Sequence, residues 1–126
     1  MREKPVTADE LNAALSAMWD MITGYRLSQI ARVAAALSLA EHCFHGPVTA
    51  ARLADAESAD PDAAGRFLRE CAAVGLLESA DGLRFTATPL LMVLHKDTAG
   101  SMRGLALSLP GQGQWLPWGQ LLEAGE

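Results

Sequence analysis

The sequence predicts a mainly α chain built like a winged helix-turn-helix, with a small β-hairpin and one helix added at its N-terminus. Three observations carry that prediction. Apolar residues recur at helical spacing through most of Thr7 to Phe44. The stretch from Gly46 to Pro89 then reads as helix, turn, helix and two short strands. Asp81-Gly82 supplies a tight turn between those strands.

The first helix opens on a capping box, in which Thr7 accepts from the N–H three residues on and Glu10 reaches back to the Thr7 N–H. Leu11, Ala14, Leu15, Met18 and Ile22 form its apolar stripe, and Asn12, Ser16, Asp20 and Thr23 hold the opposite face. Trp19 and Met21 widen the stripe on either side, beyond what packing on one neighbour requires. Such a helix is expected to be gripped from two sides. Gly24 and Tyr25 relax the pattern, and a second helix follows with Leu27, Ile30, Ala34, Leu37 and Ala40 or Glu41 as its repeat. Gly46-Pro47 stops it.

Thr49 is placed to cap the short helix that follows it, and Asp60 to cap the next, whose first turn takes Pro61. The expected buried face of that helix is Ala64, Phe67, Leu68, Cys71 and Val74, with Gly75 just past its C-terminus. The hairpin comprises residues 76–79 and 83–86 around the Asp81-Gly82 turn. Residues 88–96 restart a helix and 100–110 read as another. The remaining stretch is interrupted by Pro110, Gly111, Gly113 and Pro117, then ends on a short amphipathic segment from Trp118. The expected division is a winged-helix domain over 1–110 and the start of a linker helix over 111–126.

Ten Lys and Arg face fifteen Asp and Glu among 126 residues, a net charge of −5. Proteins that grip polyphosphates carry the opposite balance. Over 47–88, the part that would meet a DNA groove, four arginines stand against seven carboxylates, with Glu78 and Asp81 by the hairpin tip. Phosphates would be repelled there. Two cysteines without framework spacing indicate a reducing compartment and small core side chains. The N-terminus lacks the apolar run of a secretory signal, and no uncharged stretch approaches the ~20 residues of a membrane span. A cytoplasmic protein is expected, with neither nucleic acid nor membrane as partner.

Catalytic and metal chemistry find little support. Glu41, His42, Cys43 and His45 lie close in sequence, but His42 and Cys43 point to different sides of a helix and no second cluster completes a ligand set. Histidines at the negative end of a helix and a core cysteine account for them. His95, flanked by Lys96 and Asp97, reads as a solvated helix end. Gly111-Gln112-Gly113 follows no strand and so does not cradle a phosphate. No catalytic residue and no metal ligand is assigned.

A family likeness then emerges over nearly the whole chain. The segment from Met18 to Ala54, the "RFLR" and "GLL" blocks, the Asp-Gly hairpin, "TPL", "SMRG" and the "WLPWGQLLEA" segment stand in the order of the S-adenosylmethionine-dependent O-methyltransferases of plants and actinobacterial antibiotic pathways. The chain resembles the N-terminal dimerisation domain of that family, a winged-helix relative that pairs subunits. The resemblance implies a homodimer, with Leu11, Leu15, Met18, Trp19 and Ile22 against the partner chain. It also implies that Trp115 or Trp118, with Met18 or Met21 from the partner, walls a pocket for a small aromatic acceptor. Family members continue into a Rossmann-type domain that holds S-adenosylmethionine, and nothing like its glycine-rich loop precedes Glu126. The donor is expected in a full-length parent and not on this chain. The chain is then part of a longer protein or a free-standing paralogue that pairs with a full-length relative. A winged-helix transcription regulator is the reading from another class, and salt-sensitive DNA binding would separate it from the first.

Overall fold

A computed structural model of the chain describes residues 5–109. Helix α1 runs from Ala8 to Ala36, 29 residues, or about 43 Å at the α-helical rise. Thr7 caps it: its Oγ1 accepts the Glu10 N–H at 3.1 Å and donates to Glu10 Oε1 at 3.2 Å. The expected break at Gly24 does not occur. A glycine inside a helix costs about 0.5–1 kcal/mol relative to alanine, too little to end a helix that continues favourably on both sides.

The break comes instead at Ser38, which adopts the left-handed conformation (φ 54°, ψ 43°) between α1 and α2, Leu39–Phe44. In an unbroken helix Leu39 would lie about half a turn round from Ile30, at roughly 100° per residue. Both are buried in one core. The turn at Ser38 rotates the apolar stripe so that Leu39, Ala40 and Cys43 follow Ile30 and Ala34 inward. Leu39 thereby takes the core place expected of Leu37, which is only partly buried.

The winged module follows. Strand β1, Val48–Thr49, leads into α3, Ala50–Glu57; Thr49 serves both, since its hydroxyl also accepts the Arg52 N–H at 3.2 Å. Helix α4, Pro61–Ala73, starts on Asp60, whose carboxylate accepts the Ala63 N–H at 2.9 Å. Beyond it, Gly75 turns the chain at φ +89°. Strands β2, Leu77–Glu78, and β3, Arg84–Ala87, form the hairpin, with Leu77 opposite Ala87. Pairing of Val48 with Phe85 adds β1 on the other side, giving the antiparallel order β1-β3-β2. At the hairpin tip one oxygen of Asp81 accepts the N–H groups of Leu83 and Arg84, both at 2.9 Å.

Leu39, Leu53, Leu68, Leu77, Leu91 and Cys71 are the largest fully buried side chains and mark the centre of the core. Ala64, Leu68 and Cys71 of the expected α4 face are buried, with Phe67 and Val74 packed partly buried against them. Helix α5 is only Pro89–Met92, shorter than the sequence suggests. Continuation would need the Lys96 N–H to bond the Met92 carbonyl. That N–H donates to Glu41 Oε1 instead, at 3.2 Å, and the Thr98 hydroxyl donates to the Met92 oxygen at 2.6 Å. Helix α6, Arg103–Ser108, returns against α1.

Candidate functional site

The outer part of α1 has almost no core of its own. From Ala8 to Ile22 every residue is exposed, although the segment carries Leu11, Leu15, Met18, Trp19, Met21 and Ile22, each half or more accessible. Trp19 is 67% exposed and Met21 75%, values that an isolated soluble surface seldom shows for neighbouring large apolar residues.

Helix geometry sorts these side chains. At about 100° per residue, Leu11, Leu15, Met18 and Ile22 fall within an arc of roughly 60°. Trp19 lies on one flank of that line and Met21 on the other. The core-facing residues Ile30 and Ala34 sit about 100–140° further round. One helix therefore carries two apolar stripes that differ in phase: the inner one is covered by the chain's own core and the outer one is not. Arg26, between the two, pairs with Glu70 of α4 at 3.4 Å and ties α1 to the winged module. Trp115 and Trp118, the other candidate acceptor-pocket residues, lie outside the described residues.

Among the described residues a second apolar surface is uncovered, one not read from the sequence. Between the inner part of α1, the segment following β3 and α6 lies a groove of about 510 Å³, lined by Leu27, Ile30, Leu90, Met102, Leu105 and Leu109 among others. Leu27, expected on the core stripe, is 56% exposed at its rim. Leu105 and Leu109, four residues apart in a run read only as helix, were the available signal: a short helix with large apolar residues and no neighbour yet assigned to them.

The remaining chemistry-bearing groups are engaged separately. His42 Nε2 meets Glu57 Oε1 at 2.7 Å and joins α2 to α3. Cys43 is a core residue whose thiol burial pushes up to about 11. Cys71 is pushed to about 12, by burial first and then by the nearby Cys43 and Glu70. His45 contacts the edge of the Phe44 ring, with centroids 5.2 Å apart. His95 corrects the expectation of a solvated helix end: it is only 9% exposed, packs against Phe44, and its Nδ1 accepts the Asp97 N–H at 3.1 Å. On α4 the exposed Arg66 and Arg69 stand between the exposed Asp62 and Glu70. At the hairpin Arg84 lies 3.8 Å from Asp81.

The described residues do not fit a nucleotide-like methyl donor. The strands are two to four residues long and antiparallel, whereas such a donor is held by a parallel strand, a glycine loop and a helix N-terminus. Glycines with positive φ occur here at Gly46, Gly75, Gly82 and Gly100, and none stands between a strand and a helix in that arrangement. Among the described residues, no helix is long and apolar enough to cross a membrane.

Comparison with known proteins bears on the same region. The profile of the O-methyltransferase dimerisation domain matches residues 19–97. The chain is 33% identical over 107 residues to the phenazine O-methyltransferase PhzM of Lysobacter antibioticus, a match that covers 85% of this chain and 31% of that protein. Among solved structures, LaPhzM superposes with a TM-score of 0.79 at 32% identity, over 90% of this chain and 35% of that one. The mitomycin 7-O-methyltransferase MmcR gives 0.81 at 28% identity, over 93% and 35%. A methyltransferase of calicheamicin biosynthesis, in its SAH-bound form, gives 0.77 at 32% identity, over 95% and 35%. The chain spans about a third of the length of these relatives. With the winged module and the inner part of α1 inside the region matched by the profile, and a relative 33% identical over 85% of the chain, this chain belongs to the O-methyltransferase dimerisation domain family.

Proposed function

We propose that this chain pairs with a second copy of itself through the outer stripe of α1, as the dimerisation domain of a cytoplasmic small-molecule O-methyltransferase. The observation that carries the reading is the stripe itself. Leu11, Leu15, Met18 and Ile22 align on a helix that leaves its own core, with Trp19 beside them, and burial of such a surface is the main favourable term in association. In a homodimer the contact is isologous, so each copy supplies what the other needs. The acidic balance and the intermixed charges of α4 support a protein partner rather than nucleic acid.

The acceptor is a small aromatic compound, and its pocket forms where this domain meets a catalytic domain. Domain junctions favour such pockets. Trp118 or Trp115 gives a flat apolar wall, and Met18 or Met21 adapts to the ligand from the partner chain. S-adenosylmethionine is bound by the catalytic domain of the parent enzyme, where it supplies the methyl group. Residues 1–110 form the dimerisation domain and 111–126 begin the link onward.

Multi-angle light scattering on this chain at micromolar concentration tests the pairing: twice the chain mass is expected, and a folded monomer refutes it. In the full-length enzyme, Trp118→Ala is expected to raise the acceptor KM and leave donor affinity unchanged. A loss confined to thermal stability assigns the residue to packing.

A further inference from the structure

Phe44 ends α2 with its side chain 62% exposed, between two histidines. Its ring stands edge-on to His45 and tilted to His95, with centroids 5.2 Å away in each case. Beside it opens a cavity of about 430 Å³, walled further by Glu41, Met92, Lys96 and Asp97. The cavity follows from the way α5 stops. Because the Lys96 N–H turns to Glu41 and the Thr98 hydroxyl to the Met92 carbonyl, residues 95–98 leave the helical path and form its rim. Leu90, Val93 and Leu94 of the same segment line the groove beside α1, as does Leu109, where the described chain ends. Met92, His95 and Lys96 line this separate cavity instead.

His95 supplies the chemical signal. The residue is only 9% exposed, and its Nδ1 accepts the Asp97 N–H. In the neutral ring the proton therefore sits on Nε2. Among the described residues that N–H finds no acceptor, yet it is not sealed in: Arg103 Nε is the one fully enclosed unpartnered side-chain nitrogen or oxygen among them. The little surface that the His95 ring retains thus includes its Nε2 edge, and the ring lines the cavity. Buried donors are as a rule paired, so the cavity offers a hydrogen bond that the chain itself does not use.

We infer that this cavity binds a flat, uncharged nitrogen heterocycle that presents a carbonyl oxygen beside a ring N–H, as a lactam does. The carbonyl accepts from His95 Nε2. The ring N–H donates to Glu41, whose second oxygen takes no hydrogen bond from the described residues. Phe44 gives the ligand a flat wall and Met92 an adaptable one. Charge separates this class from its rivals. Two carboxylates, Glu41 and Asp97, line the cavity against one ammonium, Lys96, so an anion is opposed there. A ligand without an acceptor leaves the His95 donor unpaired. None of the lining residues belongs to the outer stripe of α1, and the site does not depend on the homodimer proposed above.

The test is a titration of the isotope-labelled chain with quinolin-2-one, followed through the ring nitrogens of the histidines. The expected result is a saturable shift of His95 Nε2, with the His42 ring, held by Glu57, unmoved. Half-saturation is expected at about 1 mM or below, ordinary for a ligand of this size. Phe44→Ala is expected to weaken binding about fivefold or more; Phe44 lies outside the core, so the fold persists. N-methylation of the probe removes its donor and is expected to cost about fivefold. Glu41→Gln keeps an oxygen for the Lys96 N–H but leaves none for the probe, and is expected to cost as much.

Absence of a saturable His95 shift up to the solubility limit overturns the inference. So does an affinity that Phe44→Ala leaves unchanged, or equal binding of the parent probe and its N-methyl derivative. Tighter binding of 2-naphthoate than of quinolin-2-one shows an anion site at Lys96 and overturns it as well.

Discussion

Replacing Met18 and Ile22 together with aspartate is expected to convert the dimer into a folded monomer. Full burial of a side chain of this size contributes about 1.5–3 kcal/mol. Met18 is 51% exposed and Ile22 62% exposed in the single chain, so roughly half of that contribution, about 1–1.5 kcal/mol each, remains for the partner to supply. Two residues on each of two protomers give about 4–6 kcal/mol per dimer, which is a loss of roughly three to four orders of magnitude in affinity. The desolvation of four carboxylates only increases the loss. Neither side chain belongs to the chain's own core, so far-UV circular dichroism of the winged module is expected to persist. Sedimentation equilibrium over a dilution series reads the dissociation constant, with Asn12→Asp off the stripe as the control. A double variant whose dissociation constant stays within tenfold of the unsubstituted chain refutes the assignment of the stripe.

Gly24 stands within α1 without a positive φ, and a methyl group added to it would meet no atom within 4 Å. Gly24→Ala is therefore expected to stabilise the chain by about 0.5–1 kcal/mol, read as a higher Tm at fixed protein concentration; a fall in Tm shows that a partner backbone approaches there. The Asp81 carboxyl is held below its ordinary value chiefly by the backbone N–H of Arg84, then by that of Leu83. A lowered folded-state value adds stability above the unfolded value of ~3.9 and loses it as pH falls through the folded one. Asp81→Ala is thus expected to lower the Tm at pH 7 and to converge on the parent in strong acid, and a gap that is the same at both pH values contradicts the hairpin-tip role.

The winged module was legible because each of its boundaries is set locally. Thr7, Thr49 and Asp60 are cap residues whose side chains reach only three residues ahead, and Gly75 and Asp81-Gly82 turn the chain by their own conformational preferences. What could not be read depended on distant partners. Strand β1 is two residues long and exists because Phe85 and Arg84 come alongside. The stop of α5 depends on Glu41, 55 residues away from the Lys96 N–H that it captures. The turn at Ser38 satisfies two demands of one core and leaves no glycine or proline to announce it. For the candidate site, the outer stripe was visible as an over-wide apolar face. The groove was not, since its residues come from four separate parts of the chain.

The two stripes of α1 place different requirements on different residues. Ala34 and Ala35 answer to the interior of the same chain, and Leu11, Leu15, Met18 and Ile22 answer to whatever lies outside it. Substitutions at sites so far apart, with no shared neighbours, act nearly independently on free energy. A lineage carrying this helix can therefore change which subunit it accepts without re-solving its fold. Two duplicated copies in one cell can come to avoid each other by a few changes along one line of side chains, since selectivity needs only a mismatch that the wrong partner cannot accommodate.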